Sequence, residues 1–195
     1  MLYRYIIRTD CCPVINFVLM DNNNTLQYKD ERDRSYGLTG MAVAMYVWDG
    51  EEYLVALDME SAPGQGLHLS PAFNMYRNPR MSARLVWQDM LKQFELSTAI
   101  LLGNAMCRSY CGGGSGRLSS AATAMIRALV RDEGREICSL DDDEINTVYD
   151  KTYRYLDQLF THSRVVETVH ELAAALLTHR TLTAAEAIDR LRALR

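Results

Sequence analysis

Apolar residues recur every three or four positions over most of the second half of the chain. Leu85, Val86, Met90, Leu91, Phe94, Leu96, Ile100, Leu101, Ala105 and Met106 keep that spacing and predict a helix over 82–110. Ala122, Met125, Ile126, Leu129 and Val130 predict a second over 119–134, begun at Ser119 or Ser120 and ended by Gly134. A long helix through Ile145, Val148, Tyr149, Tyr153, Leu156, Leu159 and Phe160 follows, with Ser139 expected as its cap. The run Asp141, Asp142, Asp143 and Glu144 falls in its first turn, where negative charge suits the helix dipole. A helix over 163–178 and a short one capped at Thr183 complete the pattern.

The front of the chain has a different rhythm. Residues 2–8 and 14–20 are rich in β-branched and aromatic residues, which predicts two strands joined by a turn at 10–13. They form an N-terminal hairpin extension over 1–25. After the DNNNT loop, a helix is expected from about 26 to 47, capped by Thr25 or Asn24. Gly37 and Gly40 sit inside it at some cost, which implies a partner packed close to the backbone. Residues 53–60 alternate as a strand does, SAPGQG turns, and 67–71 return. Residues 73–80 read as an irregular connection. The expected fold class is therefore mainly α with a small β element (α+β), one compact helical domain over 26–195 behind the hairpin.

Composition sharpens this picture at three points. Apolar residues make up 48% of the chain, enough for a real core. A net charge of -4 with scattered basic residues argues against nucleic acid as a partner. Arg4, Arg8 and Asp10 interrupt the first apolar stretch, which excludes a signal peptide, and no run reaches the length of a membrane span. The expectation is a cytoplasmic protein with no membrane partner. The cysteines Cys11, Cys12, Cys107, Cys111 and Cys138 are odd in number and read as free thiols.

Few motifs carry chemistry. CGGGSG at 111–116 lacks the Gly-Lys-Ser/Thr ending of a phosphate loop and follows a helix, so it reads as a connector. His170-Glu171 begins like a zinc motif, but residue 174 is Ala. His68, His162 and His179 are isolated.

Three stretches carry a family resemblance. They are FELSTAILLGNAMCRSY (94–110), GGGSGRLSSAATAMIRALV (112–130) and the run from Ile145 to Leu191 ending in Leu172-Ala173-x-x-Leu176-Leu177 and Thr181-Leu182. Their order resembles the protease domain of FtsH-type, AAA+-linked zinc metalloproteases. Ile100-Leu101-Leu102-Gly103 matches that family's Leu-Leu-Gly helix. The likeness runs back over roughly residues 26–192 to Tyr36-Gly37-Leu38-Thr39-Gly40-Met41-Ala42, where the family has Tyr-His-Glu-Ala-Gly-His-Ala.

A zinc peptidase of this kind needs two imidazoles one helical turn apart, a Glu beside the first as general base, and a third ligand. The resemblance puts these at Gly37, Leu38, Met41 and about Arg117, none of which suits the role. It thus implies a helical bundle like the FtsH peptidase domain, proteolytically inactive, with no cofactor and zinc absent. It further implies a protein or peptide partner, self-association into a homo-oligomer, and peptide laid along an edge strand at Leu54, Ala56 and Asp58. The alternatives are a metallopeptidase with a displaced zinc site, or an enzyme using cysteine chemistry at Cys107 or Cys111.

Overall fold

The computed structural model describes residues 27–62, 64–74 and 82–194. The expected N-terminal hairpin, the caps Thr25 and Asn24, Cys11, Cys12 and most of the 73–80 connection lie outside the described residues. The observed architecture is mainly helical with a small three-stranded antiparallel sheet.

Helix α1 (Glu31–Val47) starts where the Asp30 side chain accepts from Asp33 N–H at 2.7 Å. Glu31 and Asp33 place negative charge in its first turn. Its start is therefore Asp30-capped, not set near residue 26. Residues 35–46 are all buried, so the helix is covered on every side and carries no single apolar stripe. It packs on α2 (Ala83–Tyr110), capped by Ser82 and buried from residue 93 to 107 except at Glu95. The two backbones meet at a glycine pair. A Cβ on Gly103 would stand 2.5 Å from Gly40 O and 2.9 Å from Ala44 Cβ. Only glycine permits that approach.

A connector with Gly113 and Gly116 at positive φ leads to α3 (Ser120–Cys138), capped by Ser119. Gly134 does not end α3. It sits inside the helix because a Cβ there would press within 2.8 Å of Ile145 Cγ1 and 2.9 Å of Phe94 Cζ. Nor does Ser139 begin the next helix. It adopts a left-handed conformation (φ 54°) and terminates α3. Asp141 caps α4 (Asp142–Thr161) in a capping box with Glu144. Helices α5 (Ser163–His179) and α6 (Ala184–Leu191) follow, α6 opening on a capping box between Thr183 and Glu186. Helices α3 to α6 each bury one face and show the amphipathic spacing read from the sequence.

The sheet order is β2-β1-β3, with β1 Leu54–Asp58, β2 Leu67–Leu69 and β3 Thr181–Thr183. Leu57 stands opposite Leu67 on one side and Leu182 on the other. The edge-strand reading of Leu54, Ala56 and Asp58 is thus corrected. β1 is the central strand, and β3 takes the edge that a peptide would have used. No helix among the described residues is long and apolar enough to cross a membrane.

Candidate functional site

The i, i+1, i+4 positions lie in the buried middle of α1. Gly37 offers no donor, while Leu38 is 1% exposed and Met41 2%. The space beside Gly37 is filled. A Cβ there would lie 2.6 Å from Tyr28 Cε1 and 3.0 Å from Asn104 Nδ2. Asn104 Nδ2 donates to Tyr28 Oη at 2.8 Å, and the Arg108 guanidinium lies 4.9 Å above the Tyr28 ring. Arg108 in turn pairs with Asp33. Burial pushes the Tyr28 phenol up, against the pull of Asn104 and Arg108. On the other side, Leu38 Cδ2 is 2.9 Å from where a Cβ on Gly66 would stand. The helix turn is sealed by a ring on one flank and by the β-hairpin backbone on the other. A zinc ion with its water does not fit these residues: the donor set is one thioether, a poor zinc ligand.

Arg117 is brought no closer to ligand duty. Its side chain is exposed on the connector, and its carbonyl accepts from Ser109 Oγ at 2.6 Å and Ser115 Oγ at 2.9 Å. His162 and His179 are exposed. His170, also exposed, meets Tyr36 Oη through Nδ1 at 2.8 Å, which makes it a surface partner of α1. Among the described residues, no three His, Cys, Asp or Glu side chains stand close enough to hold a metal ion.

The sequence reading missed one polar corner. Pairing of β1 with β2 brings His68 to Asp58 and Ser61. Ser61 Oγ donates to Asp58 Oδ2 at 2.5 Å and lies 3.1 Å from His68 Nε2. That same Nε2 is 3.5 Å from Asp58 Oδ2. Arg34 Nη2 donates to Ser61 O at 2.6 Å and pins the turn. Burial pushes the Asp58 carboxyl up, but donors from Ser61, Glu60 N–H, Thr181 and His68 outweigh it and hold it down to about 2. The three residue types are those of a serine hydrolase, but their wiring is not. A triad needs the carboxylate on one ring nitrogen and the serine on the other. Here one nitrogen serves both, and a carboxylate so acidic accepts protons poorly. The corner locks a turn. His68 looked isolated because only the strand pairing reveals its neighbours.

Among the described residues, Cys107, Cys111 and Cys138 are buried free thiols. Cys107 is fully buried; burial, and the hydrogen bond to Cys111, push its thiol well up. Cys111, the partner of that bond, is lowered by it against burial. Among the described residues, no His is one of the groups that act on either thiol, and a Cys nucleophile works beside such a base. Cys138 is pushed up to about 11 by burial and by Glu133.

Comparison of the chain with models of known families, with curated proteins and with solved structures finds no match in any of the three.

Proposed function

We propose that this chain is a proteolytically inactive relative of the FtsH-type peptidase domain, kept as an interaction or assembly module. The observation that carries the reading is the Tyr28 ring standing where a side chain at position 37 would enter. Loss of ligands alone leaves a hollow that a shifted residue can refill. A hollow occupied by Tyr28, Asn104 and Leu38 leaves no room for a metal and a substrate carbonyl. The order of elements supports the relationship: motif helix, β-hairpin, long Leu-Leu-Gly helix, glycine connector, then helices closing on a Thr-Leu strand. The thiol environments count against the cysteine alternative.

The reading has the protein working in the cytoplasm, as a homo-oligomer or on a protein or peptide partner. An extended peptide would have to add to β2 or β3, each of which has one paired neighbour among the described residues. The test is zinc per chain by elemental analysis, on protein purified without chelator or metal-affinity tag, alongside casein hydrolysis. No stoichiometric zinc and no cleavage are expected. One zinc per chain with chelator-sensitive cleavage overturns the reading. Sedimentation velocity on the same sample reads assembly, with a concentration-dependent larger species expected.

A further inference from the structure

The seam between α2 and α3 contains a buried acid that neither helix needs for its own fold. Glu133 is 5% exposed on α3. Ser97 Oγ, on α2, donates to its Oε1 at 2.9 Å. Its Oε2 is buried without a partner among the described residues, and so is Oε1 of Gln93. Gln93 lies one helical turn before Ser97 and so on the same face of α2. The seam thus holds two buried acceptors that no donor reaches among the described residues. A buried acceptor left unpaired is costly, and a buried unpaired charge more so. One proton on Glu133 Oε2 relieves both faults. It removes the charge and turns one orphan acceptor into a donor.

Among the described residues, no cation is one of the groups that act on Glu133. From α2 come Ser97 and Gln93, both neutral. From α4, Ile145 packs where α3 carries Gly134. The charged or titratable groups that bear on Glu133 come from α3 itself: Glu136, which repels its charge, and Cys138 at the helix end. Beyond them, Trp87 Nε1 donates to Cys138 O at 3.4 Å and closes the end of the seam. At the other end, Gly113 and Gly116 take positive φ in the connector, and a Cβ on either would meet nothing within 4 Å. These two glycines supply the left-handed backbone of the joint, and Gly116 N–H donating to Ser109 O at 3.0 Å ties it to the end of α2.

We propose that the α2–α3 seam is a proton-operated latch: a neutral Glu133 carboxyl closes α3 onto α2, and its ionisation loosens α3. Burial pushes this carboxyl up from 4.5 to about 7, against the pull of Ser97 and with a push from Glu136. The closed form therefore binds its proton more tightly than the opened form does. Closure is firmest at acid pH and weakens as pH rises between 4.5 and about 7, where it levels off. The latch rests on the seam's own geometry and does not depend on the chain's relation to any peptidase.

Amide hydrogen exchange on the full chain, corrected for the intrinsic pH dependence of exchange, tests it. In the wild type, protection of residues 120–138 is expected to fall roughly tenfold per pH unit between pH 5 and 7, as release of one proton demands. Protection within α1 is expected to stay level. In Glu133→Gln, which keeps a neutral polar group, the α3 slope is expected to vanish. A level α3 in the wild type, or an unchanged slope in Glu133→Gln, overturns the proposal. Should that variant fail to fold, infrared difference spectra of the wild type between pH 5 and 8 decide. A carboxylic-acid carbonyl band lost toward pH 8 is expected. Its absence overturns the latch.

Discussion

On one side of α2, backbone meets backbone. Gly103 lies against Gly40, and Ala44 fills the gap beside them. On the other side, two turns of the same helix offer Gln93 and Ser97 to an acid on α3. The first contact is decided by volume, because its titratable neighbour, the Cys107 thiol, is pushed well up by burial. The second is decided by a proton, because the seam has acceptors in excess. One helix thus carries a joint that shape alone controls and a joint that acidity controls. Substitutions in the two should differ in their dependence on pH as well as in size.

The largest effect belongs to the glycine crossing. A Cβ on Gly40 would run into the Gly103 carbonyl oxygen and come within 2.5 Å of Cys107 Cβ, and neither can step aside without parting the helices. Gly40→Val is expected to cost at least about 4 kcal/mol, beyond what the gain in helix propensity, at most about 1 kcal/mol, can offset. Urea denaturation should give the same loss at pH 5 and pH 8. A loss that changes with pH would show that the α1–α2 contact also depends on ionisation, and the contrast would fail.

Ser97→Ala comes next. It removes the one donor to Glu133 Oε1. Against a neutral carboxyl the lost hydrogen bond costs about 1 kcal/mol; against a carboxylate it costs about 2–3 kcal/mol. The expected signature is a penalty at pH 8 at least twice that at pH 5, read from paired denaturation curves. Equal penalties would place Glu133 in one protonation state throughout.

Much of this scaffold was legible in the residue pattern. The spacing from Leu85 to Met106, bounded by Ser82 before it and the glycine run after it, located α2 to within a residue, although from 93 to 107 the helix is buried on almost every side. β3 was not legible. Thr181, Leu182 and Thr183 have no periodicity of their own and become a strand only by pairing with Ala56, Leu57 and Asp58. That long-range pairing moved β1 from the edge to the centre. Gly134 misled because a glycine needed for close packing looks the same in sequence as one that ends a helix. At Gly37, Leu38 and Met41 the want of zinc-ligating side chains is plain from the residue types, but the filling of the space beside them is not. Tyr28 reaches Gly37 across the turn before α1, a contact that no local spacing encodes. Glu133, within RDEGRE, resembles any solvated charge until α2 covers it.

The smallest effect works as a control on the seam. Asp141 follows the left-handed Ser139 at the end of α3 and caps α4, accepting from Glu144 N–H at 2.9 Å while Glu144 Oε2 accepts from its own N–H at 3.0 Å. Asp141→Ala removes the first of these bonds and is expected to cost about 1 kcal/mol, the usual loss for an N-cap. It stands close to the α3 terminus but outside the Gln93, Ser97 and Glu133 group. If the pH response belongs to Glu133, this variant lowers the denaturation midpoint at every pH and leaves the slope of stability between pH 5 and 7 unchanged. A flattened slope would move the source of the response from the α2–α3 seam to the α3–α4 turn.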